Sequence, residues 1–226
     1  MIVAGWDVSP NHCAAVGIDA KTHEVAWVAV ACEAKRTIAK LEEWSREQKI
    51  ELAPCMLLPK LEGIGKHAKS IDRIYRLAPL FDSWCHGIVA CSAICIEDYA
   101  VGAAHGSHYI GEIGGLARLS MLRIKIGFRM ISVKSAKKVA TGSGNATKPQ
   151  MREAAIKAGF KLPDVDAQTQ EDLCDAFAMA QCLAWEIKVK AQGIGECPKH
   201  VREVLLSKSK ANPTPILSRG LHFATS

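Results

Sequence analysis

The stretch Glu171-Asp172-Leu173-Cys174-Asp175-Ala176-Phe177-Ala178-Met179-Ala180-Gln181 constrains this chain more than any other. Its spacing predicts a helix from about Glu171 to Ile187. Leu173, Ala176, Phe177, Ala180 and Ala184 form an apolar stripe that can lie flat on a sheet. Asp172 and Asp175 stand three apart and share another face. Carboxylates held together beside a core repel and raise each other's pKa unless a cation compensates them. Acids are also favoured in the first turn of a helix, and Thr169 with Asp172 has capping-box character, so capping is the alternative reading. Two further acids elsewhere in the chain weigh against it.

Both stand at ends of apolar runs. Ile2 to Val8 predicts a central strand that is apolar on both faces, with Asp7 at its end. Such an aspartate is costly unless something pairs with it, although it could instead cap the turn that follows. Ala93 to Tyr99 predicts a second buried strand carrying Glu97 at its end, with Asp98 pointing to the other side. In open α/β sheets strand ends of this kind line the binding crevice. His105 and His108 follow as weaker ligand candidates.

The remaining pattern sets the order. Ala14 to Ala20 and Glu24 to Cys32 read as strands of an antiparallel meander, and Lys35 to Gln48 as a helix. Ile50 to Pro59, with Pro54 and Pro59, reads as a connection or irregular edge. Helical spacing resumes from Leu61 to Trp84, where Pro79 is expected to kink or break it. A glycine-containing helix follows over Ile110 to Ile126, then a strand over Phe128 to Val133. Met151 to Gly159 forms a short helix. From Pro198 a short helix and a Ser/Lys/Pro-containing tail suggest a mobile basic arm. Three strands, a helical connection, a strand, a helix, a strand and a late helix make an α/β, RNase H-like mixed five-stranded sheet flanked by helices. We expect residues 1–190 as one domain built on this sheet and 191–226 as a basic C-terminal helix and tail.

At 226 residues, 49% hydrophobic and 23% charged, the chain suits one soluble globular core. No membrane span or secretory signal is evident, so an intracellular, cytoplasmic protein is expected. Nine cysteines without a C-x-x-C pair argue against a disulfide framework or zinc knuckle. The net charge of +6 says less than its distribution. From Ile113 to Arg152 there are nine basic residues and no acid, a field that attracts a polyanion such as nucleic acid. Lys134, Lys137, Lys138, Lys148 and Arg152 are its candidate DNA-binding residues. Gly142-Ser143-Gly144 lacks the G-x-x-x-x-G-K-[ST] spacing of a nucleotide-binding loop. Exposed amides beside lysines there suit a nucleic-acid backbone better.

In this sheet order Asp7, Glu97 and the Asp172/Asp175 pair come to one place. Four carboxylates suit hard divalent ions, Mg²⁺ with Mn²⁺ as substitute. Two such ions about 3.5–4 Å apart serve phosphodiester hydrolysis.

Gly5-Trp6-Asp7-Val8-Ser9, Ile96-Glu97-Asp98-Tyr99, Lys137-Lys138-x-x-Thr141-Gly142-x-Gly144-x-Ala146-x-Lys148 and Glu171-Asp172-x-x-Asp175-Ala176 together resemble the RuvC-like Holliday junction resolvases, including the phage and poxvirus branches. The resemblance spans roughly residues 1 to 187. It implies that Asp7, Glu97, Asp172 and Asp175 are the catalytic metal ligands and that Lys137, Lys138 and Lys148 contact DNA phosphates near the scissile bond. It also implies a homodimer, with an interface around Gly111 to Leu122, that nicks four-way junctions symmetrically. The phage and poxvirus branches add the expectation of an enzyme acting in a host cell. The chain departs from the family in the length of Lys35 to Trp84, in lacking a proline before Lys137, and in the small polar residues Ser143 and Asn145. The alternatives are a broader RNase H-like nuclease acting on flaps and other branched DNA, and a non-catalytic junction-binding module.

Overall fold

A computed structural model describes all residues except 64, 87–90, 99–106, 209–213 and 223–226, and describes residues 66, 67, 86 and 107–109 by their backbone alone. The first three strands, β1 (Ile2–Val8), β2 (Cys13–Asp19) and β3 (Val25–Cys32), form the expected antiparallel meander. On the other side of β1, β6 (Cys91–Glu97) and β7 (Gly127–Ile131) add in parallel. Two dipeptide strands, β4 (Glu51–Leu52) and β5 (Met56–Leu57), pair with β3. The five strands expected from the sequence are thus the body of a mixed seven-stranded sheet, in the order β4-β3-β2-β1-β6-β7, with β5 also on β3. Pro54 and Pro59 confine the added pairing to the edge, where missing N–H groups disrupt least.

Helices cover both faces. On one lie α2 (Lys66–His86) and α3 (Ser107–Arg123). There Trp6 of β1 packs on Phe81 and Trp84 of α2, with ring centroids 5.7 and 5.2 Å away. This aromatic cluster anchors α2, which runs on through Pro79 without the expected break. Pro79 is exposed, so the carbonyl its ring obstructs can turn to water.

The other face is covered by α6 (Ala167–Gln192), flanked by α1 (Lys35–Gln48), α4 (Val133–Thr141), α5 (Lys148–Lys157) and α7 (Lys199–Leu205). The start of α6 corrects the sequence expectation. Its cap is Asp166, whose carboxylate accepts from the Thr169 backbone N–H at 2.9 Å and from the Thr37 hydroxyl at 2.6 Å. The helix begins four residues earlier than expected, its first turn holds no acid, and Asp172 and Asp175 sit in its body. Capping therefore does not account for them.

The described C-terminal residues 214–222 fold back instead of projecting as an arm. His222 pairs with Phe128 of β7, and Ile216 belongs to the core beneath α6. Arg129 of β7 holds this segment. Its side chain and that of Glu186 are each 1% exposed, and the guanidinium donates twice to Glu186, at 2.9 and 2.5 Å, and to the Gly220 and Arg219 carbonyls. Glu186→Gln leaves the buried guanidinium without its counter-charge and is expected to cost about 3–5 kcal/mol in urea denaturation. The apolar double replacement Arg129→Met/Glu186→Leu should cost much less. Equal losses would show that packing, not charge, sets the cost. Among the described residues no helix is long and apolar enough to cross a membrane.

Candidate active site

Strand parity puts the strand-end acids on the α6 side. On β1, Val3 lies in the core under α6 while Ala4 and Trp6 lie under α2 and α3, so alternation turns Asp7 toward α6. On β6, Ala93 and Cys95 face α6 and Ile94 and Ile96 face away, which turns Glu97 the same way. The parallel register Gly5↔Cys95 and Trp6↔Ile96 brings Asp7 and Glu97 to neighbouring strand ends.

The helix reaches them because of Gly5. A Cβ there would stand 1.9 Å from the Ala176 carbonyl oxygen and 2.5 Å from the Ala180 nitrogen. The α6 backbone therefore rests directly on β1, and Asp172 and Asp175 come with it.

The four carboxylates feel one another. Burial raises the Asp7 carboxyl well above its ordinary range, Asp172, Asp175 and Glu97 raise it further, and Lys148 opposes them. Burial likewise pushes Asp172 up to about 6, against a hydrogen bond from Gln168 and the field of His12. Asp175 is raised by burial, with Lys137 and Lys148 pulling it down. Glu97 is raised by burial, then by Asp175 and Asp98. Beside the group lies a small cavity of about 40 Å³ bounded by Glu97, Ser132 and Asp175.

This donor set fits a hard divalent cation. It is all carboxylate, and like charges brought this near are destabilising until a cation compensates them. Among the described residues no three His, Cys, Asp or Glu side chains are already closed into a cage.

A pH dependence follows. Asp172's folded pKa of about 6 exceeds the ordinary 3.8 of the unfolded chain, so its stabilising contribution is complete below 3.8 and is lost as pH rises through about 6. The displacement corresponds to about 3 kcal/mol as an upper bound. Without divalent ions the protein should therefore melt lower at pH 7.5 than at pH 5.5, and Mg²⁺ should raise Tm more at the higher pH. Asp172→Asn should shrink both differences. A larger Mg²⁺ effect at pH 5.5 would contradict this.

The basic candidates divide. Lys137 and Lys148 act on the acids, and Lys148 also pairs with Glu171. Lys138 turns away to α7, its Nζ 2.6 Å from Glu203. Lys134 is exposed in the first turn of α4. Arg152 is exposed on α5, and its field falls on Asp164 and Cys174.

The glycine loop needs correction. Gly142, at φ 85°, ends α4 and donates its N–H to the Lys138 carbonyl at 2.9 Å. The N–H groups of Ser143, Asn145, Ala146 and Thr147 all bond within 141–150. These amides are satisfied by the turn itself and are not offered to a phosphate.

Two site residues escaped the sequence reading. Gln168 Nε2 donates to Asp172 Oδ1 at 2.6 Å, and His12 Nδ1 stands 4.0 Å from Asp172 Oδ2. The first has a sequence signal, since residues four apart on a helix are neighbours. The second depends on where the β1–β2 turn falls. His105 lies outside the described residues, as does the side chain of His108.

No protein-family model matches the chain. It is similar to the crossover junction endodeoxyribonuclease RuvC of Chlamydia trachomatis serovar L2, 46% identical over 50 residues, which are 22% of this chain and 29% of that protein. It is also similar to the RuvC of Chlamydia muridarum, 39% identical over 75 residues, 31% of this chain and 43% of that protein. The matched stretches thus span less than half the length of either curated relative. Among solved structures, Thermus thermophilus RuvC superposes with a TM-score of 0.52 at 14% identity, over 84% of this chain and 96% of that one. The same protein in complex with a Holliday junction substrate gives 0.52 at 15% identity, over 80% and 91%. In fold the chain resembles Thermus thermophilus RuvC, and over stretches of 50 to 75 residues its sequence resembles the Chlamydia RuvC proteins.

Proposed function

We propose that this protein is a metal-dependent, structure-selective endonuclease that resolves four-way DNA junctions by paired symmetric nicks, acting as a homodimer. The gathering of Asp7, Glu97, Asp172 and Asp175 on the α6 side of two adjacent strand ends carries the reading. The similarity to proteins named RuvC, one solved on a Holliday junction, supports it.

Asp7, Glu97, Asp172 and Asp175 would hold Mg²⁺ or Mn²⁺. When bound, two such ions stabilise charge on the phosphoryl oxygens and lower the pKa of the attacking water. Asp7 and Glu97 are fixed by the sheet, which limits reorganisation during the reaction. Gln168 holds one oxygen of Asp172 and leaves the other toward His12. Lys137 and Lys148 place positive charge next to the carboxylates, where a phosphodiester must approach, and Lys134 extends that field along α4. A phosphate reaching Lys148 competes with Glu171 for it.

Mapping of cleavage products on all four strands of a labelled junction tests the reading. Paired nicks at symmetric positions in opposing strands are expected. Scattered single nicks, or equal cutting of flaps, would replace the resolvase with a broader nuclease.

A further inference from the structure

The two buried arginines of this protein are satisfied very differently. Arg129 has four acceptor contacts. Arg73 of α2, whose side chain is 3% exposed, donates from Nη2 to Glu33 Oε1 at 2.5 Å, while its buried Nε and Nη1 have no partner among the described residues. An interior guanidinium with two nitrogens unmet is destabilised by a few kcal/mol until an acceptor reaches it.

Arg73 lines a cleft of about 370 Å³ together with Asn11, Glu33, Lys60, Glu62 and Lys69. Three cations face two carboxylates there, and Glu33 is already engaged by Arg73. The fork geometry of a guanidinium matches the oxygens of a phosphate. Lys60 is exposed and Lys69 half-buried, so both ammonium groups can follow a ligand into the cleft.

The cleft adjoins the acid centre. Asn11 precedes His12, which stands 4.0 Å from Asp172, and the Cys13 thiol lies within the fields of Asp7, Asp172 and Arg73 together. Both lie at the end of the sheet where β1 turns into β2, the cleft beside α2 on one face and the acids under α6 on the other.

We propose that the cleft formed by Arg73, Lys60, Lys69 and Asn11 is a second phosphate site, which takes a backbone phosphodiester of bound DNA on the opposite side of the β1–β2 turn from the scissile one. It rests on the nuclease reading for the path of the strand, and not for its own chemistry. Glu33 then acts as a placeholder that the phosphate displaces in part from Arg73.

The test is binding of a fluorescent four-way junction in EDTA, so that no cutting intervenes, across a salt series. Lys60→Ala/Lys69→Ala should weaken binding about tenfold or more at low salt and reduce the slope of log K against log salt by about 2. Arg73→Lys keeps the charge and loses the fork, so it should weaken binding with a smaller change in slope. Melting curves confirm that each variant is folded. Affinity and slope equal to wild type in both variants overturn the proposal, as does absence of any junction binding by the wild type. If inorganic phosphate raises the wild-type Tm and the double variant loses only that shift, the cleft takes a free anion and the DNA assignment is wrong. Cleavage in Mg²⁺ is read separately. A wild type that binds with the expected slope but never cuts refutes the nuclease reading and leaves this site standing.

Discussion

Gly5→Ala is expected to cost the fold about 3 kcal/mol or more and to remove nuclease activity with it. The added methyl would meet the Ala176 carbonyl oxygen at 1.9 Å and the Ala180 nitrogen at 2.5 Å, and both are backbone atoms in the middle of a long helix. No side-chain rotation relieves that contact, so α6 must lift from β1. Lifting opens the core at Ala176, Ala180 and Ala184, each wholly buried, and carries Asp172 and Asp175 away from Asp7 and Glu97. Stability and chemistry thus depend on one missing Cβ. Urea denaturation measures the first effect. A loss under about 1 kcal/mol would show that the helix is not seated as described.

Asp7→Asn should act in opposite directions on activity and stability. It removes the acid that senses the other three, so cleavage should fall by on the order of 10³-fold. The amide is nearly isosteric and uncharged, so the same change ends the repulsion with Asp172, Asp175 and Glu97. Without divalent ions the variant should melt higher than wild type at neutral pH. Junction affinity in EDTA should be retained or improved. An Asp7→Asn protein that is both inactive and less stable would mean that the aspartate is a structural cap of the turn after β1. One that cuts normally would remove it from the site.

Legibility in the sequence followed how local each feature is. β1 and β6 were readable because they are apolar on both faces, and the ends of those apolar runs marked Asp7 and Glu97. The packing of α6, which carries Asp172 and Asp175, over β1 followed from element order. The start of α6 was misplaced because its cap, Asp166, which accepts from the Thr169 N–H, is also held by the hydroxyl of Thr37 from a distant helix. The dipeptide strands β4 and β5 are too short for any period to show. The nine residues of α4 were hidden beside Gly142-Ser143-Gly144, whose composition suggested a ligand loop although the Gly142 and Ser143 amides close the turn. Lys138 could not be told from Lys137 until α7 supplied Glu203, and the C-terminal segment looked like an arm until Arg129 was seen to hold it. The unmet nitrogens of Arg73 have no sequence signature at all.

Cleavage of a labelled four-way junction beside linear duplex of the same sequence, with and without Mg²⁺, for wild type and Asp175→Asn, decides whether the four carboxylates are catalytic. Cutting that requires Mg²⁺, is confined to the branched DNA and disappears in Asp175→Asn is the expected result. Tight junction binding by both proteins with no cutting by either, in Mg²⁺ or in Mn²⁺, would contradict it and leave the protein a junction binder whose acids are structural.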